Sequence, residues 1–343
     1  MKSSTLRRIG ILGTGSYVPE HILTNADLEK MVDTSDEWIR TRTGIRERRI
    51  AEPGTSTVSL AKKAAEKAMA DAGVTAEEID LVVVATCTQD TIAPSTACAL
   101  QAILGIPAAG AFDLSAGCSG FVYATAVASQ MLATGLYQKA LVVGAEVLSR
   151  FVDWTDRNTC VLFGDGAGAV VLGEVATGGI GGIDLGSDGS GRGALGIFGG
   201  PFHGDLHPEL ADQKMFIRMN GKDVFKFAVK VIGESTGRAL AKCGLTYDDV
   251  DLLIPHQANE RIIQAAAKKI SLPLERIFEN LDRYGNTSSA SIAIALDEAV
   301  HTGRIKSGDQ VVLVGFGAGL TWASLCVEWR YRNENETDRI IGN

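Results

Sequence analysis

No C-x-x-C pair occurs among the six cysteines, so the chain encodes neither a metal knuckle nor a dense disulfide framework. No uninterrupted apolar run approaches the roughly 18 residues of a membrane span. The opening residues, Met1 to Leu6, lack the apolar stretch of a secretory signal. Positive charge is in deficit: 33 Lys and Arg against 41 Asp and Glu leave a formal net charge of −8. That is the wrong sign for a generic nucleic-acid binder, whose phosphate contacts need surplus cations. These absences predict a cytoplasmic protein with reduced cysteines that takes no metal, no nucleic acid and no membrane. What is present is core. Hydrophobic residues make up 45% of the 343, enough for one large domain or two modest ones and too many for pervasive disorder.

The pattern of the chain occurs twice. Ala70–Val84 reads Ala-Asp-Ala-Gly-Val-Thr-Ala-Glu-Glu-Ile-Asp-Leu-Val-Val-Val, and Ala241–Pro255 repeats its layout, pairing Gly73 with Gly244 and Asp80 with Asp251. Both pairs are 171 apart, as are Gly144 and Gly315 in Leu-Val-Val-Gly and Val-Leu-Val-Gly (244 − 73 and 315 − 144). A shared offset of half the chain indicates a duplicated α/β unit with pseudo-two-fold internal symmetry. The halves are expected at 1–175 and 176–343, forming one compact unit. Each begins with an amphipathic helix, Leu60–Ala72 or Val224–Cys243, stopping at a glycine suited to a left-handed cap. A strand with continuous apolar character follows, Leu81–Ala85 or Leu252–Ile254, implying a sheet covered on both faces. A further strand, Gly110–Leu114, leads into a helix over Ser119–Thr134, matched by Ser289–Thr302. Two sheets sandwiched with helices, αβαβα in layers, is the expected packing. The glycine-rich Gly178–Gly200 reads as loop with short strands, and the end, Arg332–Asn343, is polar.

Open α/β sheets bind ligands where the carboxyl ends of strands converge. In Asp113-Leu114-Ser115-Ala116-Gly117-Cys118-Ser119-Gly120, a cysteine meets the start of a helix, where unpaired N–H groups and the helix dipole favour thiolate. Cys118 is therefore the candidate nucleophile, and its small neighbours admit a substrate carbonyl. Packing is the reading for Cys87, Cys98, Cys243 and Cys326, while Cys160 stays open. His256, in Pro-His-Gln-Ala-Asn, follows the buried strand of the second copy. Asn286 stands in Tyr-Gly-Asn-Thr-Ser-Ser at the start of the helix that mirrors the Cys118 helix; as an isolated residue it also reads as a cap. The duplication brings these helix starts toward the pseudo-axis. Gly315-Phe316-Gly317-Ala318-Gly319 suits a turn presenting N–H groups to an oxyanion. Gly13-Thr14-Gly15 and Gly164–Gly168 lack the rest of a dinucleotide fingerprint.

Several of these segments, taken in order, resemble one family. Asp33-Thr34-Ser35-Asp36-Glu37-Trp38-Ile39, Thr41-Arg42-Thr43-Gly44-Ile45, the Cys118 turn, His256–Asn259, Gly285–Ser288 and Gly317–Gly319 are similar to β-ketoacyl-acyl-carrier-protein synthase III, the initiating condensing enzyme of dissociated fatty-acid synthesis. The resemblance covers almost the whole chain. It implies the thiolase-like fold, a homodimer and no cofactor, acyl-CoA being a substrate and malonyl-acyl carrier protein the second one. It further implies that Cys118 accepts the acyl group and that His256 and Asn286 hold the enolate formed by decarboxylation. The backbone N–H groups of Cys118 and of Ala318–Gly319 would form the oxyanion hole. Coenzyme A would lie along Thr34, Trp38, Arg42, Arg157, Phe225 and Asn259, its adenine between Trp38 and Arg157.

An acidic carrier needs a basic patch on this acidic protein. Lys222, Lys226 and Lys230 recur every four residues on one helix face, and Arg261, Lys268 and Lys269 follow the histidine motif. Ala93, in Thr-Ile-Ala-Pro-Ser, stands where relatives often carry a bulkier side chain reaching across the dimer, which suggests room for longer or branched primers. A degradative thiolase needs a second cysteine in the C-terminal glycine loop, where Ala318 stands. Elongating synthases use two histidines, and Asn286 occupies the second place. A chalcone-synthase-like or quinolone-type condensing enzyme using malonyl-CoA is the alternative, and a non-enzymatic scaffold the rival of another class.

Overall fold

The computed structural model describes residues 6–202 and 205–330. The opening residues read for a leader, apart from Leu6, and the polar end Arg332–Asn343 lie outside them. Among the described residues no helix is long and apolar enough to cross a membrane.

The helix Thr57–Ala72 shows how local rules produce the first layer. Ser56 caps it by accepting the Ser59 N–H, and Gly73, at φ +56°, ends it in the left-handed conformation. Leu60, Ala61, Ala64, Ala65 and Ala68 form its buried stripe. Small residues let it lie directly on the strand Ile9–Tyr17: a Cβ on Gly13 would sit 2.3 Å from the Ala72 nitrogen. This close approach explains a glycine in mid-strand.

Two sheets carry the molecule. The first runs in the order Ile9–Tyr17, Gly166–Glu174, Ala140–Glu146, Leu81–Ala85, Gly110–Leu114. The second runs Gly179–Ser187, Thr321–Glu328, Gln310–Gly317, Leu252–Pro255. The orders correspond strand for strand, with Gly110–Leu114 as an additional edge in the first. Leu81–Ala85 pairs in parallel with both its neighbours, and every residue in it is buried, as its unbroken apolar run requires. The helices Gly120–Ala133 and Ser291–His301 lie between the sheets and touch both. Thr57–Ala72 and Thr96–Ile103 cover the outside of the first sheet, and Gly221–Lys242 and Glu260–Ile270 the outside of the second. The result is the layered αβαβα arrangement expected from the duplication. Each central helix is preceded by a 3₁₀ turn, Gly117–Ser119 and Ser288–Ala290, again offset by 171 (288 − 117).

The glycine-rich segment corrects an expectation. Gly179–Ser187 is a nine-residue strand on the edge of the second sheet, antiparallel to Thr321–Glu328. Its glycines serve packing: a Cβ on Gly182 would lie 1.9 Å from the carbonyl oxygen of Ala239 in the covering helix. Leu195–Phe198 pairs with Phe216–Met219 in a separate two-stranded ribbon. The cysteine expectations also divide. Cys326 and Cys160 are buried, Cys87 is half-buried, and Cys98 and Cys243 are exposed rather than packed.

Arg48 is fully buried and donates to the carbonyls of Leu23 and Val161 and to Asn25 Oδ1 at 2.7–3.1 Å. It thereby ties the Leu23–Asn25 corner to the segment that precedes Gly164. Burial depresses its pKa to about 10. Arg48→Ala orphans three buried acceptors and opens a cavity, so it is expected to lower stability by about 3 kcal/mol or more, read as a fall in urea midpoint at unchanged m-value.

Candidate active site

Three of the carboxyl-end loops converge on Cys118. It lies in the turn Gly117–Ser119 and is buried. Two glycines permit this place. Gly117, at φ +56°, comes so close to the opposite loop that a Cβ there would meet the Ala318 nitrogen at 2.8 Å. A Cβ on Gly317 would lie 2.5 Å from the Cys118 nitrogen. The two halves thus touch backbone to backbone at Cys118.

His256 follows Leu252–Pro255, and its N–H is fixed to the Val314 carbonyl at 2.8 Å. Its ring packs edge-on to Phe316, 5.1 Å between centroids, and Nδ1 lies 2.7 Å from Ser291 Oγ. Burial depresses its pKa to about 3, so the imidazole is neutral at physiological pH. Asn286 is held by backbone bonds, its N–H to Leu162 and its carbonyl from Gly164, at 2.8 and 3.0 Å. Its Oδ1 accepts the Ser288 N–H at 2.8 Å, which leaves the amide NH₂ as the free end of the side chain. Ser288 adopts φ +48°, unusual for a non-glycine residue, to make that turn.

Cys118, His256 and Asn286 line one cavity of about 120 Å³, with Phe225 and Asn259 on the same wall. A second cavity of about 200 Å³ meets it at Cys118 and is walled by Leu148, Phe163, Ile197, Ile217 and Cys87, with Ala318 beside the sulfur. Larger open hollows, about 400 and 380 Å³, lie around Ile50–Thr55, away from all three residues.

Helix-start reasoning predicts a thiolate, and here burial dominates. Burial pushes the Cys118 thiol up to about 12; the Ser288 hydroxyl opposes this, and Glu146 adds to it. At rest the site therefore holds a thiol and a neutral imidazole. The sign of the histidine shift gives a prediction. The unfolded imidazole binds its proton near 6.5 and the folded one near 3, so this group's contribution to stability is fully present above about 6.5 and is lost as pH falls toward 3. Acid unfolding between pH 6 and 4 is expected to be steeper in wild type than in His256→Asn, by up to about 1.4 kcal/mol per pH unit.

The other expected residues are placed as follows. The Arg157 guanidinium lies 4.9 Å over the Trp38 ring and pairs with Asp33 at 3.3 Å. The two planar groups stack on each other and are not spaced for a ring between them. Asn259 caps the helix Glu260–Ile270 and donates to the Arg42 carbonyl at 3.0 Å, joining two of the expected coenzyme A residues. Thr34 is half-buried with its hydroxyl unpartnered. Gly319 does not line either cavity, whereas Ala318 does. Ala93 is exposed and lines neither. The Arg261 guanidinium lies 5.9 Å from the Phe225 ring centre, Lys222 and Lys226 are exposed on the helix that carries Phe225, and Lys268 and Lys269 stand at the far end of the Arg261 helix. Sequence reasoning missed Cys87 as a cavity wall, the Leu195–Met219 ribbon, and Ser288, Ser291 and Glu146 behind the site. Glu146 alone left a signal, a carboxylate closing an otherwise apolar strand. Among the described residues no group of three or more His, Cys, Asp or Glu is gathered around a metal position.

Comparison with known proteins points one way. A family profile described as 3-oxoacyl-[acyl-carrier-protein (ACP)] synthase III matches residues 112–189, and one described as its C terminal matches 240–329. A β-ketoacyl-[acyl-carrier-protein] synthase III of Caldanaerobacter subterraneus subsp. tengcongensis is 56% identical over 322 residues, 93% of this chain and 97% of the relative. The crystal structure of 3-oxoacyl-[acyl-carrier-protein] synthase III from Aquifex aeolicus superposes with a TM-score of 0.88 at 46% identity, covering 94% of this chain and all of that one. The corresponding Thermus thermophilus enzyme gives 0.88 at 50% identity over 94% and 99% of the chains.

Proposed function

The chain belongs to the β-ketoacyl-[acyl-carrier-protein] synthase III family of condensing acyltransferases, with the duplicated thiolase-like fold, and from that premise we propose that Cys118, His256 and Asn286 carry its reaction. The enzyme joins a short acyl-CoA primer to malonyl-acyl carrier protein with loss of CO₂, the first condensation of dissociated fatty-acid synthesis. The chalcone-synthase-like alternative is not favoured, since profiles and relatives carry the synthase III name.

The observation that carries the residue assignment is the meeting of one thiol and two neutral nitrogen donors on a single small cavity. Cys118 sulfur attacks the acyl-CoA carbonyl, coenzyme A leaves as the thiol with the Cys118 proton, and the acyl group stays activated as a thioester. The malonyl carbon–carboxylate bond then breaks, CO₂ departs, and the electron pair settles on the thioester oxygen as an enolate. A Ser291 hydroxyl donating to Nδ1 leaves the imidazole hydrogen on Nε2, so His256 and Asn286 both offer N–H to that oxygen. Two neutral donors suit an enolate that must next react: they stabilise its charge without protonating the carbon. The enolate carbon attacks the acyl carbonyl, the Cys118 and Ala318 N–H groups hold the tetrahedral oxyanion, and cleavage of the C–S bond releases the Cys118 thiolate, which takes a proton from water to become the thiol again. The second cavity, walled mainly by apolar side chains and meeting the first at Cys118, suits the primer's alkyl chain.

Coenzyme A is assigned to Thr34, Trp38, Arg42, Arg157, Phe225 and Asn259. Adenine binding between Trp38 and Arg157 requires their separation to open from 4.9 Å to about 7 Å, two aromatic contact distances. The reading includes a cytoplasmic homodimer without a resident cofactor; Ala93 meets the primer only if a partner subunit brings it there. The test is direct. Acyl-CoA alone should add one acyl mass to the wild-type chain at Cys118, and malonyl-acyl carrier protein should then yield the β-ketoacyl product; malonyl-CoA serving equally well, or an unacylated chain, would overturn the assignment.

The carrier is assigned to the basic surface of Lys222, Lys226 and Arg261, with Lys268 and Lys269 outlying. Reversing Lys226 and Arg261 together to Glu is expected to raise KM for malonyl-acyl carrier protein about tenfold, with the loss growing at low salt, while acyl-CoA loading is unchanged. Stopped-flow loading beside steady-state condensation measures both.

A further inference from the structure

Glu146 closes the strand Ala140–Glu146 and is wholly buried. Its Oε2 lies 2.6 Å from Thr88 Oγ1 and 3.3 Å from Thr86 Oγ1, and both its oxygens share the Cys87 N–H at 3.1–3.2 Å. Its Oε1 lies 2.8 Å from Ser289 Oγ, and that same hydroxyl lies 2.9 Å from the Ala85 carbonyl oxygen. No Lys, Arg or His is among these partners.

The hydrogens can be counted. A serine hydroxyl carries one. If it goes to the carboxylate, Ser289 and Ala85 face each other as bare oxygens; if it goes to Ala85, Ser289 and Glu146 do. One arrangement supplies a hydrogen to every close pair: Glu146 Oε1–H donates to Ser289 Oγ, Ser289 O–H donates to Ala85, and Oε2 accepts from Thr88. Desolvation acts in the same sense, raising the Glu146 pKa. The titratable groups facing it are the Cys87 and Cys118 thiols, and each is driven further from thiolate by a charge on Glu146.

Internal symmetry sharpens the point. Shifted by 171, Cys118 falls on Ser289 and Glu146 falls on Gly317 (118 + 171 and 146 + 171). One half has a nucleophile beside a residue with no side chain; the other has a hydroxyl beside a carboxyl. Ser289 adjoins Ser288, whose N–H holds the Asn286 side chain.

We propose that Glu146 is a neutral carboxylic acid and a positioning residue, which through Ser289 locks the Asn286–Ser289 turn to the strand end at Ala85 without placing a charge behind Cys118. The positioning role rests on the assignment of Cys118 and Asn286 above; the protonation state does not. Infrared difference spectra of wild type against Glu146→Gln at neutral pH, with carboxyl-labelled glutamate, should show the C=O stretch of a protonated acid. Glutamine supplies a donor and an acceptor in the same places. Glu146→Gln should therefore keep condensation within about threefold and leave the pH profile of Cys118 alkylation by iodoacetamide unmoved. Glu146→Leu should slow condensation about 30-fold or more while acyl-CoA loading of Cys118 changes less than about threefold. A carboxylate band alone, an alkylation profile moved by about one pH unit in Glu146→Gln, or a Leu variant that slows both half-reactions equally or neither would overturn the proposal. If the Leu variant does not fold, the spectrum and Glu146→Gln decide. Persistence of condensation in Cys118→Ala would refute the nucleophile assignment and leave the spectral result untouched, so the two failures are distinguishable.

Discussion

Cys118→Ala is expected to take no acyl group from acyl-CoA and to lose condensation by at least about 10⁴-fold, while retaining slow decarboxylation of malonyl-acyl carrier protein. The split follows from the division of labour at the site. On the proposed assignment the sulfur forms the covalent bond to the primer; Cys87, on the neighbouring wall, is half-buried and its thiol is driven well above the ordinary range by desolvation. On the same assignment, decarboxylation needs the two nitrogen donors and not the sulfur. Intact mass after incubation with acyl-CoA reads the first half, and CO₂ release reads the second. A variant that still condenses at the wild-type rate removes the assignment.

The second large effect is expected at the donors. His256→Ala and Asn286→Ala should each lower condensation by about 10²–10³-fold, the range for loss of one donor to a developing oxyanion. Both should still load Cys118 with acyl groups, because loading places charge in the hole formed by Cys118 and Ala318 rather than on the enolate side. The double variant should lose less than the product of the two, since both donors serve one oxygen. Single-turnover condensation from pre-acylated enzyme separates the steps; equal damage to loading and condensation would mean that the substitutions disturb the cavity as a whole. Neither donor titrates near neutrality, so the condensation profile should lack an acid limb at the ordinary histidine pKa.

Much of this was legible in the chain before any coordinates. A single offset of 171 recovered the duplication because it left matched turns: the Thr75 and Thr246 capping boxes, the Leu81 and Leu252 strands and the Gly117 and Ser288 turns all obey it. That Cys118, His256 and Asn286 share one cavity was legible because each stands at the end of a strand or the start of a helix, where topology rather than side-chain packing sets position. The ribbon Leu195–Met219 was not, because its glycines look like loop and its partner strand lies about twenty residues on. The protonation of Cys118 was not either: helix-start reasoning counts the dipole and the free N–H groups, while the desolvation that outweighs them depends on walls contributed by Phe163, Leu195 and Phe316 from three separate segments. Arg48 could not be foreseen as buried, since two of its three acceptors are backbone carbonyls and the third, Asn25, is a neutral side chain, so no opposite charge marks the site.

The glycine contacts around Cys118 restrict how such an enzyme can be diversified. At Gly117, Gly144 and Gly317 an added methyl would strike main-chain atoms of the other half at 2.8 Å or less. Rotamer changes cannot relieve collisions with main chain, so variation at this rim is closed to drift and to mutagenesis libraries alike. On the proposed assignment, room for new primers lies instead with Ile197 and Ile217 on the two-stranded ribbon, whose side chains wall the second cavity.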